Sequence, residues 1–404
     1  MTTPAPLGDE RHSLAFAGET PRSNYVSGGL SLDTIYDDNI LPSSGRAASD
    51  VRYGLWPSLS LQQSRSRVGW DLNYSPGFTF YQHNGSVNEI DHTLALHFNY
   101  RFSPHVTLTF ADSFQKTSDL LGLPQEGISA PATGGVHGPN DSIVPPATPR
   151  ISSYTDLQLT YQFAENAMIG AKGSLAGLWF PERNNVPGLY DSTVRSGEVF
   201  YAQRLSGRHY LGAAYAFQAL FTRPGQSETQ THSTLLFYSL SLPTLSVSVF
   251  AGPELSDSHG VPVPLHKWSP ATGGSVNWHG QRSSFLVSYA RGVSDGGGLS
   301  GAVRFDKADL SGRFRLARTM IAEIGVSYSA NDVLHSQAMF GAAGGHTWSE
   351  TASLQRPLGE NLILRLGYAH LYQSYDSIET ISQAPNRNNV WVSLSYQFQR
   401  PWGR

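Results

Sequence analysis

Seven basic side chains could act as a group. Arg67, Arg101, Lys172, Arg204, Arg313, Arg315 and Arg365 each fall within roughly seven residues of a short turn, and in an extended chain their parity puts them on one face with Asp71, Asp156, Glu198 and Glu323. Inside a tube with a low-dielectric wall, that positive excess would focus its field on anions, selecting anionic solutes or an anionic polymer strand. The same residues could instead pair off as a lattice of salt bridges bracing the wall. The sequence leaves both readings open.

Other chemistry is sparse. The chain has no cysteine, which removes disulfides, thiolate metal sites and cysteine nucleophiles. His92 and His97 fall on opposite faces of one extended run and cannot share a metal, and no H-E-x-x-H or G-x-S-x-G occurs. Gly296-Gly297-Gly298-Leu299-Ser300-Gly301 fits G-x-G-x-x-G, yet it opens a strand; without a helix N-terminus to receive a pyrophosphate, it reads as a flexible loop. Asp37-Asp38-Asn39 has oxygen ligands for Ca²⁺ but lacks the rest of an EF-hand loop, so it reads as a turn. No cofactor is called for, and the chain is not expected to be an enzyme. A net charge of −3 speaks against nucleic acid as a partner.

The elements that must position these residues are strands. From Asn389 to Gln399, Val390, Val392, Leu394, Tyr396 and Phe398 alternate with Trp391, Ser393, Ser395 and Gln397. Comparable period-two runs recur through the chain, beginning at Ser23–Tyr36, and count to 18, with one hairpin more or fewer giving 20 or 16. They are joined alternately by eight short turns and nine longer connections. Among the longer ones are 116–150, 256–269, 330–345 and 374–388. That rhythm predicts a single all-β, antiparallel, up-and-down transmembrane barrel with short periplasmic turns and long extracellular loops. An open sheet in lipid would strand its edge N–H and C=O groups, so the sheet must close.

Composition agrees. Only 15% of residues are charged and 39% are apolar, low for a soluble domain but suited to lipid outside and a polar lumen inside. Tyr100, Phe102, Tyr161, Phe163, Phe314, Tyr396 and Phe398 gather near the short turns, while Phe80, Trp179, Phe221, Tyr289 and Tyr328 gather near the loops, as two interfacial girdles would. Propellers and solenoids also alternate, but no fixed-period motif for them is present. The segment 116–150 either folds inward to narrow a channel or stays a mobile surface loop. Residues 1–22 read as a disordered lead-in, 23–399 as the barrel and 400–404 as a short extension. Met1 to Pro21 shows no basic-then-apolar secretory leader.

Tyr36-Asp37-Asp38-Asn39-Ile40 at the end of the first strand, Leu364-Arg365-Leu366-Gly367-Tyr368, and the terminal Tyr396-Gln397-Phe398 carry a resemblance. Over 23–398 the chain resembles bacterial outer-membrane porins, and among them the β-barrel porins associated with exopolysaccharide export. The resemblance implies a place in the cell outer membrane in contact with its lipid, and passive passage of hydrophilic solutes or a polysaccharide strand. It also implies a periplasmic export partner. Six residues follow Phe398, where such barrels commonly end on the aromatic. Two other functions fit a barrel: a structural or adhesive one whose loops bind surface partners, and a hydrolase.

Overall fold

The computed structural model describes residues 2–3, 14–15, 23–40, 48–118, 140, 143, 148–183, 189–223, 227–259, 265–298, 301–334, 344–375 and 386–402. Eighteen antiparallel strands close into one barrel in which each pairs with its sequence neighbours and the last pairs with the first. In chain order they are β1 (Ser23–Asp37), β2 (Asp50–Ser64), β3 (Val68–Tyr81), β4 (Glu89–Ser103), β5 (Val106–Thr117) and β6 (Arg150–Ala164). Then come β7 (Ala167–Trp179), β8 (Asp191–Arg204), β9 (His209–Arg223), β10 (Ser227–Ser241), β11 (Leu245–His259) and β12 (Leu265–His279). The circuit ends with β13 (Ser283–Asp295), β14 (Ala302–Ala317), β15 (Met320–Val333), β16 (Gly344–Pro357), β17 (Leu362–Tyr375) and β18 (Asn386–Pro401). Separately, Thr2–Thr3 pairs with Leu14–Ala15; the rest of the 1–22 lead-in lies outside the described residues.

The alternation decides which way each residue faces. In β18, Val390 and Val392 are 47% and 46% exposed while Ser393 and Ser395 are 8% and 1% exposed, so the apolar set is outside and the small polar set inside. Around the barrel Leu32, Leu159, Val199, Leu236, Val249 and Leu366 are likewise exposed. A continuous apolar band of this extent is what lipid contact requires and what water penalises. Arginine at Leu394, inside this band, is expected to cost about 2–4 kcal/mol, against about 0–1 kcal/mol at Leu316 beside a turn. Urea titration of the barrel folded in lipid vesicles measures both, and equal losses would place the band in water.

Two aromatic girdles bound the band. At the short-turn end Tyr100 packs edge-on to Phe102 with centroids 4.7 Å apart, and Phe285 does the same to Phe314 at 5.0 Å. At the long-loop end a repeated device appears. Tyr74, Tyr215, Tyr289 and Tyr368 each bond a polar group on the next strand, two residues nearer the loop than the direct cross-strand partner. The partners are His92 Nδ1 (3.0 Å), His232 Nδ1 (2.7 Å), Asp306 Oδ1 (2.6 Å) and Asn388 Oδ1 (2.7 Å). Each ring keeps its body in the apolar layer while its hydroxyl finds a polar partner above it.

Several strands outrun their sequence signals. The expected loop 256–269 is largely strand, with β11 running to His259 and β12 starting at Leu265. Above the girdle the outward positions become polar, as at Asp257 and His266, so the alternation vanishes while the hydrogen-bond ladder continues. At the other terminus β18 runs past Gln399: Arg400 pairs with Val26, Pro401 with Tyr25, and the Trp402 N–H donates to Asn24 O at 3.1 Å. The expected extension 400–404 therefore begins inside the barrel, because β1 starts early enough to supply partners.

The seam between β18 and β1 is stitched at its long-loop end. Arg387 Nε lies 3.1 Å and 2.9 Å from the two Asp37 carboxylate oxygens, and Asp37 is fully buried. Asn388 donates through both N–H and Nδ2 to the Asp38 carboxylate at 2.6 Å, and Asn39 Nδ2 donates to Asn386 O at 2.9 Å. Asp37-Asp38-Asn39 is thus a clasp for barrel closure, and no group of acidic and histidine side chains fit to hold a metal occurs among the described residues.

Candidate functional site

The lumen wall is built from cross-strand pairs of glycine with an aromatic ring. Gly170 faces Phe200, Gly212 faces Phe237, Gly273 faces Phe250, Gly345 faces Tyr375 and Gly367 faces Trp391. A Cβ on any of these glycines would collide with the ring opposite, so the missing side chain is what lets the ring lie against the wall. At Gly367 all three nearest atoms belong to the Trp391 indole, so the side chain rather than the backbone must yield. Valine at Gly367 is expected to swing the indole into the lumen and lower single-channel conductance, at a stability cost of about 1–3 kcal/mol. Unchanged conductance would mean that the ring finds another place on the wall.

The register places the expected lumen charges as follows. Lys172 lies 3.9 Å from Asp156 and is the direct cross-strand partner of Glu198, halfway up the wall. Arg313 pairs with Glu323 at 3.4 Å, and Arg365 Nε donates to Gln355 Oε1 at 3.4 Å. Arg204 Nη2 donates to Glu165 O at 3.1 Å. Asp71 lies 3.4 Å from His97 Nδ1 and accepts from Asn73 Nδ2 at 3.1 Å. Arg101 and Arg315 occupy inward positions at the short-turn end, whereas Arg67 sits in the turn itself, its carbonyl accepting the Arg101 N–H at 2.8 Å. The structure therefore unites Lys172 with Asp156 and Glu198, and Arg313 with Glu323. The other basic groups are spread around the rim.

A second set escaped the sequence reading. Asp33, Asp50, Asp91, Glu254 and Asp309 line the inner face nearer the long loops, all with little exposure. Asp33 accepts from the Trp56 indole at 3.1 Å, and Asp309 lies 4.0 Å from Lys307. Asp50 accepts the N–H groups of Val51 (2.8 Å) and Asn84 (3.0 Å). Carboxylates thus gather towards the loops, but Arg52, Arg150 and Arg387 are buried among them, so both signs are interspersed there, while Arg101, Arg313, Arg315 and Arg365 stand towards the turns. Parity alone could have found this, since each acid shares the inward phase of its strand.

The long-loop mouth is drawn inward around Asp295. This residue ends β13 and is fully buried. It accepts the Asn140 N–H at 2.7 Å and the Ser192 hydroxyl at 3.1 Å, and its own carbonyl accepts from Asn140 Nδ2 at 3.0 Å. Asn140 Nδ2 also reaches Asn331 Oδ1 at 3.3 Å, and Asn331 donates to the Tyr375 hydroxyl at 3.0 Å. Beyond Asp295, Gly297 and Gly298 take φ values of 59° and 93°, a backbone that favours glycine. Gly298 O accepts the Tyr190 N–H at 2.7 Å, and the space a Cβ would need there is filled by Phe180. Below these bonds Val293 and Ala302 pack with Ala176, Val194 and Leu220 from β7, β8 and β9, strands well round the wall.

The described part of the glycine-rich run is therefore a fixed hairpin tip rather than a free loop; Leu299 and Ser300 lie outside the described residues. Of 116–150, Asn140 and Ile143 are buried at this mouth, while 119–139, 141–142 and 144–147 lie outside the described residues.

No protein-family model matches the chain, and no curated protein matches it. Among solved structures it is similar to OpdK of Pseudomonas aeruginosa with vanillate, at 12% identity and a TM-score of 0.44, covering 93% of this chain and 99% of that one. It is similar also to OccK2 (OpdF) of Pseudomonas aeruginosa in complex with glucuronate, at 12% identity and a TM-score of 0.47, covering 93% and 98%. The FrpB iron transporter from Neisseria meningitidis is similar at 12% identity and a TM-score of 0.45, covering 92% of this chain and 66% of that one. At these TM-scores the likeness says nothing further about what this chain carries.

Proposed function

We propose that the protein is an outer-membrane channel for passive passage of small hydrophilic solutes, with short turns in the periplasm and an outer mouth narrowed around Asp295. The observation that carries this reading is the inside-out wall: Val390 and Val392 outside, Ser393 and Ser395 inside, on a sheet with no open edge. Inward-drawn segments at the mouth favour small solutes over a polysaccharide strand. Arg101, Arg313, Arg315 and Arg365 at the periplasmic end support an anion preference there, with the carboxylates of the outer half acting against it.

Purified protein in planar bilayers under a KCl gradient tests both parts. Stepwise conductance with a reversal potential of the sign set by chloride is the expected result. Absence of steps would leave a structural barrel, and strong cation selectivity would assign control to the outer carboxylates.

A further inference from the structure

The periplasmic rim carries a charge pattern that a channel wall does not need. Arg65 and Arg67 lie between β2 and β3, Arg208 between β8 and β9, Arg282 between β12 and β13, and Arg318 between β14 and β15, all exposed. Opposed to them in the turns are only Glu165 and Glu360. At the other end of the barrel Arg183, Arg291, Arg304 and Arg387 meet Asp191, Asp306, Asp332 and Asp37. Among the described residues, Arg67, Arg208, Arg282 and Arg318 show no such carboxylate partner. Lys116, Lys172, Lys267 and Lys307 are all the lysines of the chain, and none lies in a turn at this rim.

We infer that this rim is a docking platform for a periplasmic protein with an acidic face, an inference that rests on the orientation proposed above. Guanidinium groups offer a planar fork matched to carboxylates, where ammonium groups offer a point charge. The arginines stand in the turns, beyond the outward aromatic girdle to which Phe102, Phe163 and Phe398 belong. The charge continues inward to Arg315, so the surface faces along the pore axis. It extends over turns on several sides of the mouth, a spread that one small anion cannot span and a folded partner can.

The test uses the full chain in lipid nanodiscs, where both faces are open and no conductance is required, with fluorescent poly-L-glutamate as the probe. Binding that weakens with salt is expected, and combined R67Q, R208Q, R282Q and R318Q substitutions should weaken it about ten-fold. R304Q, at the opposite end, should leave it unchanged. No binding, or binding equally strong in the four-residue variant, overturns the inference. Tighter binding of polygalacturonate than of poly-L-glutamate overturns it too, by assigning the rim to an acidic polysaccharide. Because the readout is binding, loss of the platform and loss of the channel reading are told apart by the bilayer currents of the same preparation.

Discussion

Replacing Asp295 by alanine is expected to raise single-channel conductance by a factor of about two or more, since the mouth loses two hydrogen bonds to a buried acceptor, which contribute about 0.5–1.5 kcal/mol each. The carboxylate is where three segments meet. Asn140 comes from the connection after β5, Ser192 from the start of β8, and Asp295 itself from the tip of β13. Without it, Asn140 keeps its amide bonds to the Asp295 carbonyl and to Asn331, so the segment loosens without being released. Asparagine at 295 retains one acceptor and should fall between wild type and alanine. The barrel wall is untouched by either change, so both variants should fold and insert normally. A D295A channel that folds and conducts as wild type does would remove Asp295 from control of the mouth.

The second large effect is expected at the seam. Arg387→Ala leaves the fully buried Asp37 carboxylate without its guanidinium partner, and breaking a buried pair from one side costs about 3–5 kcal/mol. Arg304→Ala removes a pair of similar chemistry in which Asp332 is 60% exposed, and should cost no more than about 1 kcal/mol. Reversible urea unfolding from lipid vesicles compares the two. The contrast matters more than either value, because both arginines stand at the long-loop end and differ chiefly in burial. Equal losses would show that the seam holds through its backbone ladder alone.

What the sequence disclosed follows from which forces act locally. Strand number, inside-outside parity and the turn-loop rhythm were legible because lipid and lumen impose a period of two wherever a strand crosses the apolar band. Val390 to Phe398 shows this plainly. Beyond the girdle the same strands lose that imprint, which is why 256–269 looked like a loop although Asp257 and His266 are ladder partners. Site residues were legible as facing inward but not as partners. Lys172 and Glu198 meet only once β7 and β8 are in register. The clasp between Asp37 and Arg387 joins residues 350 apart in sequence, so a local reading could see only a turn. The run 296–298 shows the same limit: its glycines announced an unusual backbone, but nothing nearby announced Tyr190 and Phe180 as its neighbours.

Closure by pairing the first strand with the last also sets an order of events. Every strand from β2 to β17 finds both partners among its immediate sequence neighbours, whereas β1 waits for residues 386–401. Until that last segment arrives, the nascent sheet presents two unpaired edges, and in a bilayer those edges are the costliest part of the molecule. Hairpins can form early and cheaply, yet none of them gives a stable stopping point in the membrane. Sealing the ring is a late step that brings together the two free edges of an already paired sheet, the pairing of greatest sequence separation in the barrel. Kinetic control of assembly therefore rests with the C-terminal strand, and a chain interrupted anywhere before it remains an open sheet rather than a smaller channel.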